Sequence, residues 1–92
     1  MNVKHEPDNN RFIVPLPEGE KALLSYQMIG DVMNIMHTEV PDSHESEGIA
    51  SELVRYALDW ARSAGKQVEA TCKFARSWIE RHEEYHDVLS TV

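Results

Sequence analysis

The chain has 92 residues, room for one domain. Its 41% hydrophobic and 27% charged residues make an ordinary globular composition, not that of a disordered tail. Sixteen Asp and Glu against nine Lys and Arg leave a formal charge of −7, which excludes a general nucleic-acid or anionic-membrane binder, because phosphate surfaces demand clustered bases.

No apolar run approaches the roughly 20 residues of a membrane span. Residues 1–7 carry no apolar stretch behind their charge, so no secretory leader is expected. Cys72 is the single cysteine, which leaves no internal disulfide and no cysteine-rich zinc site. A cytoplasmic protein is the expectation.

In chain order, residues 1–10 read as a flexible lead-in around Pro7 and the turn-forming Asp8, Asn9 and Asn10. Residues 11–92 are read as a single domain. Residues 11–14 form a short apolar strand that must stop or lie at an edge where Pro15 and Pro17 remove amide donors. Residues 22–28 form the next strand, with Leu24, Tyr26 and Met28 on one face. Gly30 and Asp31 are a tight hairpin signal, and residues 32–40 are the third strand, with Met33, Ile35 and His37 on one face. The period then changes. Ile49, Leu53, Ala57 and Ala61, beside Ala50, Val54 and Leu58, make an amphipathic helix over residues 45–64. Gly65 ends it. Residues 66–72 form a strand with Val68, Ala70 and Cys72 on one face. Phe74, Ala75, Trp78 and Ile79 then make a second, shorter helix, followed by an acidic tail around Tyr85, Val88 and Leu89. The fold class is α/β (α+β): an antiparallel three-strand meander, a helix, a parallel strand reached by a right-handed crossover, and a second helix.

The step from Val40 through Pro41 into Gly48, Ile49 and Ala50 carries the most chemistry. A strand–loop–helix junction aims unpaired backbone N–H groups at one point, the helix dipole adds positive potential, and glycine admits a ligand close to the backbone. Such a place suits a phosphate or pyrophosphate. A capped helix that carries one glycine is the plain alternative. Cys72 precedes a helix, a position that favours thiolate; equally, free cysteine is commonly a small buried apolar residue. His37 is the best general-base candidate, since histidine titrates near neutrality, with a structural strand residue as its plain alternative. Residues 82–86 match H-E-x-x-H, whose two histidines hold zinc in metalloproteases. Here the match falls in the last residues of the sequence, and no metal site is expected.

His37-Thr38-Glu39-Val40 followed by Glu47-Gly48-Ile49-Ala50-Ser51-Glu52-Leu53-Val54 resembles the pyrophosphate-binding segment of the GCN5-related N-acetyltransferases. Ala70-Thr71-Cys72-Lys73-Phe74-Ala75 and His82-Glu83-Glu84-Tyr85 resemble the short, single-domain group of that superfamily. The resemblance runs from about Phe12 to Val88. It implies acetyl-coenzyme A as the acetyl donor, and strands 32–40 and 66–72 that splay apart to admit the pantetheine arm. The pyrophosphate then caps the helix near Gly48, held by the loop residues Ser43, Ser46 and Glu47 and by Ile49, Ala50 and Ser51. Thr38, Glu39 and Val40 line the arm from one strand, Cys72 and Phe74 from the other side. Lys73 and Arg76 are the nearest bases to the nucleotide phosphates. His37 would take the proton of an attacking amine, and Cys72 would accept acetyl or line the channel. The family's loop opens on Arg or Gln where Glu45 stands, and the short group carries Gly where Ser46 stands. The tyrosine that larger members use to protonate the leaving thiolate falls on Ile79. The implied function is an acetyl-coenzyme A-dependent N-acetyltransferase acting on an amine, peptide, protein or small molecule. The alternative is a non-catalytic module that binds coenzyme A or a protein on the same fold.

Overall fold

The computed structural model describes residues 1–90. Its frame is one five-stranded sheet in which spatial order follows chain order. Strands β1 (Lys4–Glu6), β2 (Arg11–Pro15), β3 (Lys21–Ile29) and β4 (Val32–Glu39) run antiparallel to their neighbours, and β5 (Gln67–Ala70) lies parallel to β4. Helix α1 (Ile49–Ser63) makes the β4-to-β5 crossover, and α2 (Lys73–Glu80) follows β5. The mixed fold read from the sequence is therefore present, with one strand more than expected.

That strand is the correction at the N-terminus: Lys4–Glu6 pairs with β2 where a flexible lead-in was expected. A 3-10 turn at Pro7–Asn9 and a left-handed Asn10 (φ 52°) fold the chain back. The His5 ring then stacks on Phe12 at 4.1 Å and 12°, and its Nε2 lies 2.6 Å from the Tyr26 hydroxyl. Lys4 and Glu6 face away from this contact, so the segment reads as charged; polar residues are common on an edge strand.

The α1 stripe is as read, with Ile49, Leu53, Val54, Ala57, Leu58 and Ala61 buried. The helix begins four residues later than expected, because Gly48 is left-handed (φ 75°) and residues Asp42–Glu47 form a 3-10 turn instead. Both helices pack on one face of the sheet, where Phe12, Leu24, Met33, Ile35, Val68 and Trp78 belong to one continuous core. The opposite face presents Lys21, Gln27, Gln67 and Glu69 to solvent.

Two departures from regular pairing shape the molecule. The β3–β4 register moves from Tyr26↔Ile35 to Ser25↔His37, leaving Met36 as an extra residue in β4. A bulge of this kind reverses the alternation beyond it. Met33 and Ile35 point into the core, but Thr38, opposite Leu24, takes the inward place that was expected of His37. The second departure shortens β5 to Gln67–Ala70, against the expected 66–72. Thr71 and Cys72 both donate their N–H to the Ile35 carbonyl, at 2.9 and 3.1 Å, so the chain turns out of the sheet there.

Beyond α2, residues Glu83–Val88 form a 3-10 segment that buries Tyr85 and Val88. Leu89 then bridges Val68 in parallel, with the Ser90 N–H on the Val68 carbonyl at 2.8 Å. Among the described residues no helix is long and apolar enough to cross a membrane.

Candidate functional site

The site begins where β4 and β5 part. Their ladder ends at Ile35↔Ala70, while β4 continues to Glu39. Residues 36–39 thus run on beside a gap on the β5 side, and the bulge lies at its base. Cys72 stands on the other bank, as the residue before α2. Its Sγ lies 3.6 Å from Thr38 Oγ1, the contact that closes the bottom of the gap. The splay implied by the resemblance is present, and Thr38 and Cys72 meet in it.

Above this contact lies a hollow of about 290 Å³ lined by Thr38, Val40, Glu45, Ala50 and Phe74. Phe74 is 37% exposed, a ring offered to the hollow and not sunk in the core. A second hollow, of about 440 Å³, shares Thr38, Val40 and Glu45 with the first and adds Lys21, Glu39 and Pro41. Ala50 ties the first hollow to the start of α1. No side chain caps this helix, and its first internal acceptor, the Gly48 carbonyl, is taken by Glu52 N–H at 3.2 Å. The amides of Ile49, Ala50 and Ser51 precede that bond and have no acceptor within the helix. A Cβ built on Gly48 would meet nothing within 4 Å, so the approach to these donors is open.

The loop's charges are not equivalent. The His44 ring donates to Glu47 Oε2 at 2.8 Å, which occupies that carboxylate within the loop. Glu45 has no such restraint among the described contacts and lines both hollows. Ser43 and Ser46 lie exposed on the same 3-10 turn. Lys73 is exposed in the first turn of α2. Arg76 is held elsewhere. Its Nε and Nη2 donate to the Ala70 carbonyl at 3.3 and 3.1 Å, and it lines a separate hollow of about 240 Å³ with Val68, Glu80 and Leu89. The structure therefore does not bring Arg76 to the α1 start.

His37 is likewise not where the alternation put it. It lies on the outer face, 59% exposed, and donates from Nε2 to Glu39 Oε1 at 2.9 Å. Both residues are on the stretch of β4 that flanks the gap. Ile79, at the position of the family tyrosine, is buried in the core. The H-E-x-x-H residues form no metal-binding helix. His82 precedes the 3-10 segment, stacks on Trp78 at 3.6 Å and donates from Nδ1 to the Trp78 carbonyl at 2.6 Å. His86 donates from Nε2 to the Ile79 carbonyl at 2.9 Å. Each histidine spends one ring N–H on backbone, and no group of three metal-ligating side chains occurs among the described residues.

Sequence reasoning missed Asn34 and Thr71. Asn34 is the buried polar residue of the described core, 9% exposed, and it bonds Thr71 beside the parting of β4 and β5. The signal was a lone amide in the otherwise apolar run of residues 32–36.

The sequence model of the GCN5-related N-acetyl-transferase family matches residues 11–88, which span the sheet from β2, the splay, both helices and the buried tail. The chain belongs to this family. The protein NATD1 of Gallus gallus and that of Mus musculus are each 29% identical to it over 84 residues, which cover 89% of this chain and 76% of theirs. NATD1 of Homo sapiens is also 29% identical, over 74% of its own length. The NMR solution structure of a GCN5-like protein from Staphylococcus aureus superposes with a TM-score of 0.78 at 26% identity, covering 99% of this chain and 89% of that one. In this GCN5-related N-acetyltransferase domain, the α1 start and the β4–β5 gap both lie within the matched residues.

Proposed function

We propose that this domain is an acetyl-coenzyme A-dependent N-acetyltransferase that acts on an amine. One observation carries the reading: Ala50, in the first turn of the uncapped, glycine-led α1, lines one hollow with Thr38 and Val40 at the β4 end and with Phe74, and Thr38 meets Cys72 across the gap at 3.6 Å. A phosphate anchor and a narrow slot leading from it fit a ligand with a pyrophosphate and a long thin arm. In this reading the amides of Ile49, Ala50 and Ser51 hold the pyrophosphate. Phe74 and Val40 flank the arm, and Lys73 screens the nucleotide phosphates.

The acetyl carbonyl lies against β4 residues 36–39, whose backbone N–H stabilises the negative charge that develops on oxygen. The amine nitrogen attacks the carbonyl carbon, forming the C–N bond, and the C–S bond breaks to release coenzyme A thiolate. The amine's proton passes to His37, approached from the outer face, with Glu39 holding the ring. The thiolate is reprotonated from water, since the family tyrosine is absent. Cys72 lines the slot and is not acylated. The acceptor is a peptide, protein or small amine.

The acidic loop favours a second reading, a non-catalytic module that binds coenzyme A or a protein partner. Two measurements separate the readings. Titration of acetyl-coenzyme A into labelled protein should shift the Gly48 amide first and furthest, and a set of primary amines should release free coenzyme A catalytically. Binding without release favours the module; no perturbation at Gly48 removes the acetyl-transfer reading and leaves only a module that binds a protein partner.

A further inference from the structure

Asn34 and Thr71 sit on the outer face, Asn34 one residue before the last paired residue of β4 and Thr71 one residue after the last paired residue of β5. The amide of Asn34 is used at both ends by a single residue. Its Nδ2 donates to Thr71 Oγ1 at 3.0 Å, while its Oδ1 accepts the Thr71 N–H at 3.1 Å and lies 3.2 Å from the Thr71 hydroxyl, in reach of its proton. Between them, the Ile35 carbonyl receives the N–H of both Thr71 and Cys72. One carbonyl taking two consecutive amides is the point at which a parallel ladder cannot continue, and the side-chain pair locks it there. The next residue inward from Thr71 is Cys72, and three positions on from Ile35 is Thr38; these two meet at 3.6 Å.

We propose that Asn34 and Thr71 are positioning residues that fix where β5 leaves β4, and so hold Cys72 against Thr38 and keep the gap at its working width. A buried amide is costly unless satisfied, and here it is satisfied by the one residue that must be held. Neither side chain reaches the hollow, so their action on it is through the backbone. For the cofactor the proposal rests on the acetyl-transfer reading; for the geometry of Cys72 it does not.

Cys72 is the single thiol of the chain, so its rate of reaction with a disulfide reagent such as DTNB reads the geometry of the gap directly. In Asn34→Ala this rate should rise about tenfold, the equivalent of one or two lost hydrogen bonds. The rate should be independent of urea below the unfolding transition, which marks local opening. Thr71→Val, which keeps the shape and loses the hydroxyl, should act in the same direction, Thr71→Ser should behave as the parent, and the Asn34→Ala/Thr71→Val double variant should be no worse than the stronger single one. Coenzyme A affinity should fall about tenfold in the same variants. An unchanged thiol rate in cooperatively melting Asn34→Ala overturns the proposal, as does a rise that follows urea and hence global stability. If Asn34→Ala does not fold, the Thr71→Val and Thr71→Ser pair decides by the same rates. If the parent binds no coenzyme A, the acetyl-transfer reading fails, while the thiol rates still test the clamp.

Discussion

Gly48 shows how much one residue contributes to the candidate site. It is left-handed at φ 75°, and space in front of it is open. A side chain there costs about 1–2 kcal/mol of backbone strain without colliding with the protein, so Gly48→Glu should fold and melt a few degrees lower. It should lose coenzyme A binding, because its carboxylate occupies the approach to the α1 amides; calorimetric titration of the folded variant checks this, and retained affinity removes the anion site from α1. Glu45 is the opposite case, a charge that opposes the ligand. Glu45→Arg should tighten coenzyme A binding, with the gain shrinking as salt rises, since the attraction is exposed and screened. A gain that salt leaves untouched would place the side chain away from the phosphates. At Cys72, mass spectrometry after acetyl-coenzyme A without acceptor should show no hydroxylamine-sensitive acetyl group, and Cys72→Ala should retain turnover with altered cofactor affinity. An acetyl group that forms there and passes to an amine at the turnover rate would make Cys72 a carrier.

At the scale of the element, β1 depends on a histidine. Burial against Phe12, Tyr26 and Trp60 lowers the His5 pKa below its ordinary value, and the neutral ring accepts the Tyr26 hydroxyl at Nε2. A folded-state pKa below the unfolded one means that the unfolded chain takes up the proton first. His5 therefore contributes fully above about pH 6.5, the unperturbed value, and its contribution is lost as pH falls through that value toward the lower folded pKa. As pH falls below about 6.5, the protection of β1 amides, taken relative to their intrinsic exchange rates, should drop more than that of β3 amides. His5→Phe, which keeps the stack and cannot be protonated, should flatten that difference; an identical acid response in the variant would exclude His5 as its source. The bulge in β4 acts on the same scale. It removes His37 from the core face and gives the place to Thr38, a switch that no side chain in the strand announces.

Across the whole molecule, the −7 charge acts on any anionic ligand before contact is made. Like charges slow diffusional encounter, and salt relieves them. The association rate of coenzyme A should therefore rise with ionic strength, the reverse of the common behaviour of anion sites, and stopped-flow measurement between low and physiological salt checks the sign. A rate that falls with salt would mean that a local basic field outweighs the net charge. The same charge favours a cationic amine as acceptor, whose encounter rate should fall as salt rises.

What the sequence determined by itself was periodic or local. The α1 stripe, the meander from residue 11 onward and the parallel return of β5 all follow from side chains at fixed spacing, because a 3.6 or a 2.0 period states which face is apolar. Family motifs added the splay and the expectation of coenzyme A as ligand. The tertiary structure alone decided three things. It made a strand of Lys4–Glu6, because the stabilising contact is one ring, His5, on residues up to 55 positions away. It turned His37 outward, because a bulge is set by the partner strand's register and not by the bulged strand's own pattern. It drew Arg76 to the Ala70 carbonyl and Asn34 to Thr71, since hydrogen bonds between distant polar groups leave no period in a sequence. The candidate site was legible in its residue types and in its helix start; which side of the sheet each residue faces depended on one inserted residue in β4.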